Sequence, residues 1–168
     1  AGFINNPLID ADGVVRRSPL LHEYKLAVYE SLSLSVAATY FNDIALPVFV
    51  DASRWMGDYP PLEGLELNGK PIPIDPQGAV MVPYRGGRGS FPYISAAKVI
   101  AGDIEDPALL EGRIALVGAT APGLEDIRST PFGSIYPGVQ IHANVIPAIP
   151  APPPPRHPPP PPPPPPPP

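Results

Sequence analysis

The chemistry-bearing side chains of this 168-residue chain gather between positions 117 and 142. Val117-Gly118-Ala119-Thr120-Ala121-Pro122-Gly123 reads as the end of a strand and a glycine-bearing loop, followed by Glu125, Asp126, Arg128, Ser129 and Thr130, and then by His142. A glycine loop leaving a strand can turn backbone N–H groups toward an anion. This one lacks the lysine and hydroxyl that end a phosphate loop, and Pro122 removes a donor. Asp126 with Thr130 could hold a polar ligand or a cation, although such an aspartate more often caps a turn or pairs with arginine. His142 has as its ordinary role a hydrogen bond at the core edge. With His22 far off in sequence, a histidine metal site has little support. Ser129, His142 and the carboxylates contain the types needed for a serine hydrolase, but no Gly-x-Ser-x-Gly elbow is present. A second cationic point is the loop Arg85-Gly86-Gly87-Arg88-Gly89-Ser90, which can meet an anionic ligand or serve as a flexible connection. Trp55, Tyr59, Phe91 and Tyr93 are pocket candidates whose ordinary role is packing over core edges. The candidate ligand-binding set is Arg85, Gly118, Thr120, Asp126, Thr130 and His142. Catalytic, metal and cofactor-binding residues are expected to be none.

Elements must position these groups. Asp10, Asp12 and Gly13 form a turn, and Val14 to Leu21 reads as a short strand. Arg16 and Arg17 alternate across it, so at most one is expected to pair with a carboxylate such as Asp12, leaving the other solvated. Val28, Leu32, Val36 and Tyr40 recur at helical spacing, which predicts a helix from Leu26 to Phe41 ended by Asn42-Asp43. Pro47 to Val50 is a strand candidate. Asn68-Gly69, between Leu65/Leu67 and Ile72/Ile74, predicts a tight hairpin whose second strand, with Pro71 and Pro73, lies at an edge. A turn at Asp75–Gly78 leads to a strand at Ala79 to Tyr84. Short helices are predicted from Ala96 to Ala101, after Ser95, and from Asp106-Pro107 to Gly112. Ile114-Ala115-Leu116-Val117 reads as a strand buried on both faces, and Gly138 to Ile146 as a helix stopped by Pro147. Together these predict an α/β fold with a mostly parallel central sheet, helices on its faces and a β-hairpin.

Composition sets the outer limits. Of 31 prolines, 15 fall from Pro152 to Pro168, which divides the chain into a domain over 1–149 and a proline-rich tail over 150–168, disordered or polyproline II. The tail reads as a spacer, or else as a ligand for a proline-binding module. Zero cysteines exclude a disulfide scaffold, a thiolate metal site and a cysteine nucleophile. The 11 Lys and Arg include Arg156 of the tail; set against 16 Asp and Glu, the body carries about −6. Without a basic run, nucleic acid is not an expected partner. No stretch is a clean apolar 20-mer, so no membrane span is expected within the chain. Its opening, already inside apparent structure and without methionine, reads as that of a piece of something larger.

The ordered blocks carry a resemblance. Leu110-Glu-Gly-Arg-Ile-Ala-Leu-Val-Gly-Ala-Thr-Ala-Pro-Gly-Leu-Glu-Asp126 is followed by Ser129-Thr-Pro-Phe132 and Tyr136-Pro-Gly-Val-Gln-Ile-His-Ala-Asn144. Gly2-Phe3-Ile4-Asn5, Asp12 to Arg17, Tyr29 to Leu34, Ile74-Asp75, Pro83 to Gly86 and Ile94 to Ala96 precede them in order. The set resembles the type 2 CHASE domain over residues 2 to 146. That family supplies extracytoplasmic sensors to bacterial adenylate and diguanylate cyclases, histidine kinases and serine/threonine kinases. The resemblance implies a sensory input domain without catalysis of its own. It implies an unknown small-molecule ligand or periplasmic partner, and a homodimer, because such outputs work in pairs. Attachment to the membrane would come only through flanking helices absent from this chain. The sequence departs where an apolar helix should begin and instead reaches Pro147 and the proline tail. A binding or scaffold module acting through the tail, and a hydrolase or nucleotide-binding enzyme, are the alternatives.

Overall fold

The computed structural model describes residues 2–51, 53, 55–57, 60–104, 106–119 and 127–149. Nine short strands and three α-helices follow one another along them: β1 (Arg17–Pro19), β2 (Leu21–Tyr24), β3 (Ala27–Glu30), α1 (Leu32–Phe41), β4 (Leu46–Phe49), β5 (Leu62–Leu67), β6 (Lys70–Pro73), β7 (Ala79–Met81), α2 (Ala96–Ala101), β8 (Ile127–Thr130), β9 (Gly133–Pro137) and α3 (Gly138–Val145). A 3-10 turn at Pro107–Leu109 follows α2, and another at Ile146–Ala148 continues α3.

Every sheet among the described residues is antiparallel. β4, β5 and β6 form one sheet in that order, while β1 pairs β7, β2 pairs β3 and β8 pairs β9. The expected parallel central sheet is therefore absent from them. Parallel pairing is limited to two isolated bridges, Phe3 with Ser31 and Val14 with Ser129. The physical reason lies at Ile114–Val117. This run makes no strand, and Ile114 and Val117 are 40 % and 94 % exposed. A short apolar run shows a preference for burial but does not name its partner. A parallel pair also needs a covered crossover, and α2, the helix before this run, buries no residue. β2–β3, β5–β6 and β8–β9 are joined by short turns and can pair only antiparallel, and the long-range pairs β1–β7 and β4–β5 run the same way.

The long predicted helix is shorter than its periodicity. Ser31 is extended (ψ 161°), and its hydroxyl accepts the Leu34 N–H, so α1 begins at Leu32. Asn42 ends it in the left-handed region, as expected. The stretch Ala27–Glu30 instead pairs with β2 through a turn at Lys25-Leu26, both with positive φ. Val28 fitted the helical spacing, yet it is exposed on this hairpin.

Other local expectations hold. Asn68 and Gly69 have φ of 53° and 67°, and they turn β5 into β6, an edge strand that carries Pro71 and Pro73. Asp43 Oδ2 accepts the Asn68 N–H at 2.7 Å, joining this hairpin to the end of α1. α2 ends at a left-handed Gly102, although Ser95 makes no side-chain cap. The predicted helix at Asp106-Pro107 is a single 3-10 turn, in which Asp106 accepts the Ala108 N–H. α3 ends at Val145, and the chain passes through Pro147 in the 3-10 turn rather than stopping there.

The core lies where α1 and α3 meet the sheets. Val15, Leu20, Leu34, Ala37, Leu65, Leu67, Ile72, Val82, Tyr136, Ile141, Val145 and Ile149 form one buried cluster. At roughly 1.5–3 kcal/mol for each large side chain, this burial is the main stabilising contribution. α1 packs against both α3 and the turn that follows it. The proline tail over 150–168 lies outside the described residues.

Candidate functional site

α3 is a buried helix that carries polar residues, and this makes it the candidate site. Gly138, Gln140, Ile141, His142, Asn144 and Val145 are all buried. Ile141 and Val145 join the core, whereas the polar groups beside them must find partners or cost free energy.

Asn144 is 0 % exposed. Its Nδ2 donates to the Tyr136 hydroxyl at 2.8 Å and to the Gln140 carbonyl at 2.7 Å. Its Oδ1 accepts the Arg85 backbone N–H at 2.9 Å. One amide thus joins α3, the end of β9 and the loop after β7. Tyr136 meets Tyr84 edge-on, with ring centroids 5.4 Å apart, and the Tyr84 hydroxyl donates to the Val15 carbonyl at 2.8 Å. Burial raises the pKa of both phenols. For Tyr136, the hydrogen bond from Asn144 opposes that rise.

His142 faces α1, with its Nδ1 2.8 Å from the Ser33 Oγ. The hydrogen bond at the core edge that is the ordinary role of such a histidine is present at His142. The serine beside it is Ser33, not the Ser129 weighed for a hydrolase. Ser33 is fully buried, so no acyl substrate reaches its Oγ in this conformation.

Three other sequence candidates, Gly118, Thr130 and Arg85, lie among the described residues. Gly118 lies against Val139; a Cβ added there would stand 2.8 Å from the valine Cβ, so glycine allows the close approach. Thr130 is buried at the end of β8, in the hairpin that precedes α3. Its Oγ1 donates to the Gly133 carbonyl and accepts the Phe132 N–H, each at 3.3 Å. Arg85 reaches α3 through its backbone, while the residue itself is exposed. Its glycine loop is closed by Ser90, whose hydroxyl donates to the Gly87 carbonyl at 2.6 Å. Thr120 and Asp126 lie outside the described residues, as does Tyr59. Trp55 and Tyr93 are exposed, at 44 % and 50 %.

A charged network flanks the far end of this chain of contacts. Arg16 pairs with Asp10 and Asp12, each at 2.7 Å, and Arg17 pairs with Asp75 at 3.1 Å and Asp10 at 3.5 Å. Both arginines are therefore paired, against the expectation that one would be solvated. The turn closed by the Gly13 N–H on the Asp10 carbonyl, and by the Asp10 N–H on the Val14 carbonyl, brings the acids within reach of both long arginine side chains. The Arg16 guanidinium, with the Val14 N–H, holds Asp12 at about 2, and Asp12 in turn raises Arg16. Exposed pairs of this kind are screened by solvent and contribute little to stability.

Sequence reasoning passed over Asn144, Tyr136, Gln140 and Ser33. The available signal was a polar stripe at 136, 140 and 144, spaced four apart and set among apolar helix residues. Among the described residues, no cluster of three His, Asp or Glu side chains is placed to hold a metal ion. An open depression of about 520 Å³, lined in part by Glu30, Thr39 and Asp43, includes none of the candidates. No helix among the described residues is long and apolar enough to cross a membrane.

Searches of curated proteins and of solved structures gave no match. The CHASE2 domain model matches residues 1–162, in agreement with the resemblance carried by the ordered sequence blocks, and the chain belongs to this family of extracellular sensor domains.

Proposed function

We propose that this sensor domain is the input module of a membrane receptor and that it controls a cytoplasmic cyclase or kinase. The CHASE2 match over residues 1–162 carries the reading. The geometry supports it by supplying a mechanical element. α3 is held by Ser33 on α1, by Tyr136 at the end of β9 and by the backbone of Arg85. A shift in any one of these segments changes the hydrogen bonds of the same helix. A sensor needs no chemistry of its own; its ligand has only to bind one arrangement better than another. α3 is then the coupling element, with the polar contacts of His142 and Asn144 as the parts that move. A homodimer suits paired cyclase or kinase outputs.

The test is to read the parent gene on both sides of this segment and to map topology with a reporter fused after Ile149. Flanking apolar helices of about 20 residues, an output domain beyond them and an exported reporter are the expected result. A frame without such helices, or a cytoplasmic reporter, contradicts the receptor reading.

A further inference from the structure

Gln140 is 3 % exposed, and neither its Nε2 nor its Oε1 has a hydrogen-bond partner among the described residues. It is the third residue of α3. A helical side chain leans back over the turn before its own Cα, so this amide is carried toward the N-terminal end of the helix. That end begins on Pro137, with no side-chain cap and no acidic residue in the first turn. The first N–H groups of a helix lack intrahelical partners, and together with the helix dipole they favour a negative charge. Two independent features therefore meet at one place. One is a set of backbone donors that, among the described residues, receive no side-chain cap. The other is a buried amide with an open donor and an open acceptor.

The neighbour one turn on sharpens the contrast. Asn144 is just as buried, and it makes three hydrogen bonds with Tyr136, Gln140 and Arg85. An apolar residue at 140 would avoid the cost of an unpartnered buried amide. The amide is explained if its partner arrives in the ligand-bound state. A group that is unsatisfied when free and satisfied when bound supplies the difference in affinity that a sensor needs.

We propose that Gln140 and the first turn of α3 form the ligand site of the sensor. The ligand class is a small carboxylate with a hydrogen-bond donor on the adjacent carbon, an α-hydroxy or α-amino acid. The carboxylate accepts from the helix N–H groups and from Gln140 Nε2. The neighbouring hydroxyl or ammonium donates to Gln140 Oε1. The proposal rests on the sensor reading and adds the ligand chemistry to it.

The experiment titrates the 168-residue chain with L-lactate, L-alanine and acetate by calorimetry, while NMR follows the Gln140 side-chain NH2 signals. Acetate offers acceptors only. Lactate or alanine should bind at least tenfold more tightly than acetate and should shift the Gln140 signals. Gln140→Leu should keep or raise the melting temperature and weaken binding at least tenfold; Gln140→Met serves in its place if the leucine variant does not fold. Equal binding of acetate, or unchanged affinity in the variants, overturns the site. Absence of binding by all three probes, while the parent receptor still answers a stimulus, overturns the site and leaves the sensor reading standing. Binding as expected, in a gene without flanking helices, supports the site and removes the membrane-receptor reading.

Discussion

Asn144 Oδ1 accepts the backbone N–H of Arg85 at 2.9 Å, tying the last helix to a loop 59 residues earlier in the chain. The same amide donates to the Tyr136 hydroxyl, and Tyr136 lies edge-on against Tyr84, which reaches back to Val15. Segments distant in sequence are therefore held by one connected set of buried polar contacts. Within a low-dielectric interior such a set is stabilising when complete and costly when broken.

Asn144→Ala leaves the Arg85 N–H and the Tyr136 hydroxyl without their partner, and it should cost about 2–4 kcal/mol in urea unfolding. Tyr136→Phe removes one of these bonds and should cost about 1 kcal/mol. The double variant should lose less than the sum, because both changes break the same contact. Strict additivity would mean that the two residues act independently.

The turn of the β2–β3 hairpin offers a stabilising change. Lys25 and Leu26 have φ of 49° and 62°, a region that disfavours both side chains. Replacing the pair with Asn-Gly should stabilise the chain by about 1–2 kcal/mol, read as a higher melting temperature. The reverse holds at the other hairpin, where Gly69→Ala should cost about 1 kcal/mol. A destabilised Asn-Gly variant would contradict the hairpin.

Asp12 gives a pH signature. Its folded-state pKa, about 2, lies below the ordinary 3.8, because Arg16 and the Val14 N–H stabilise the carboxylate. A lowered carboxyl pKa contributes stability above pH 3.8, and that contribution is lost as pH falls through 2. Carboxyl NMR should find Asp12 titrating near 2 in the wild type and moving back toward 3.8 in Arg16→Ala. An unchanged titration in the variant would remove Arg16 as the cause.

These contacts explain which parts of the fold were readable in advance. Asn68-Gly69, Ser95 to Gly102 and Gly138 onward carry local signals, since turn and cap residues act within a few positions, and the structure has these elements. Lys25-Leu26 carries no turn signal, so tertiary pairing overrode the helical spacing that runs through Val28. Ile114–Val117 failed for a different reason. An apolar run states a preference for burial, but pairing requires a neighbour that the sequence does not name. Of the candidate residues, His142 lies on α3, Gly118 lies against Val139 and Arg85 meets Asn144 through its backbone, whereas the Thr130 hydroxyl bonds within the β8–β9 hairpin. Asn144 and Tyr136, which tie α3 to β9 and to the backbone of Arg85, are ordinary residue types whose importance comes from burial.

The central claim is that α3 couples sensing to output, and the Ser33–His142 contact tests it most directly. Ser33→Ala breaks the 2.8 Å link between α1 and α3 at a cost of about 1 kcal/mol. Gly69→Ala, of similar cost and away from α3, is the control. Output of the parent receptor is measured against stimulus for both variants at matched folded fraction. Ser33→Ala should shift the midpoint of the response severalfold while Gly69→Ala leaves it in place. Equal responses from the two variants would contradict it, reducing α3 to a structural helix.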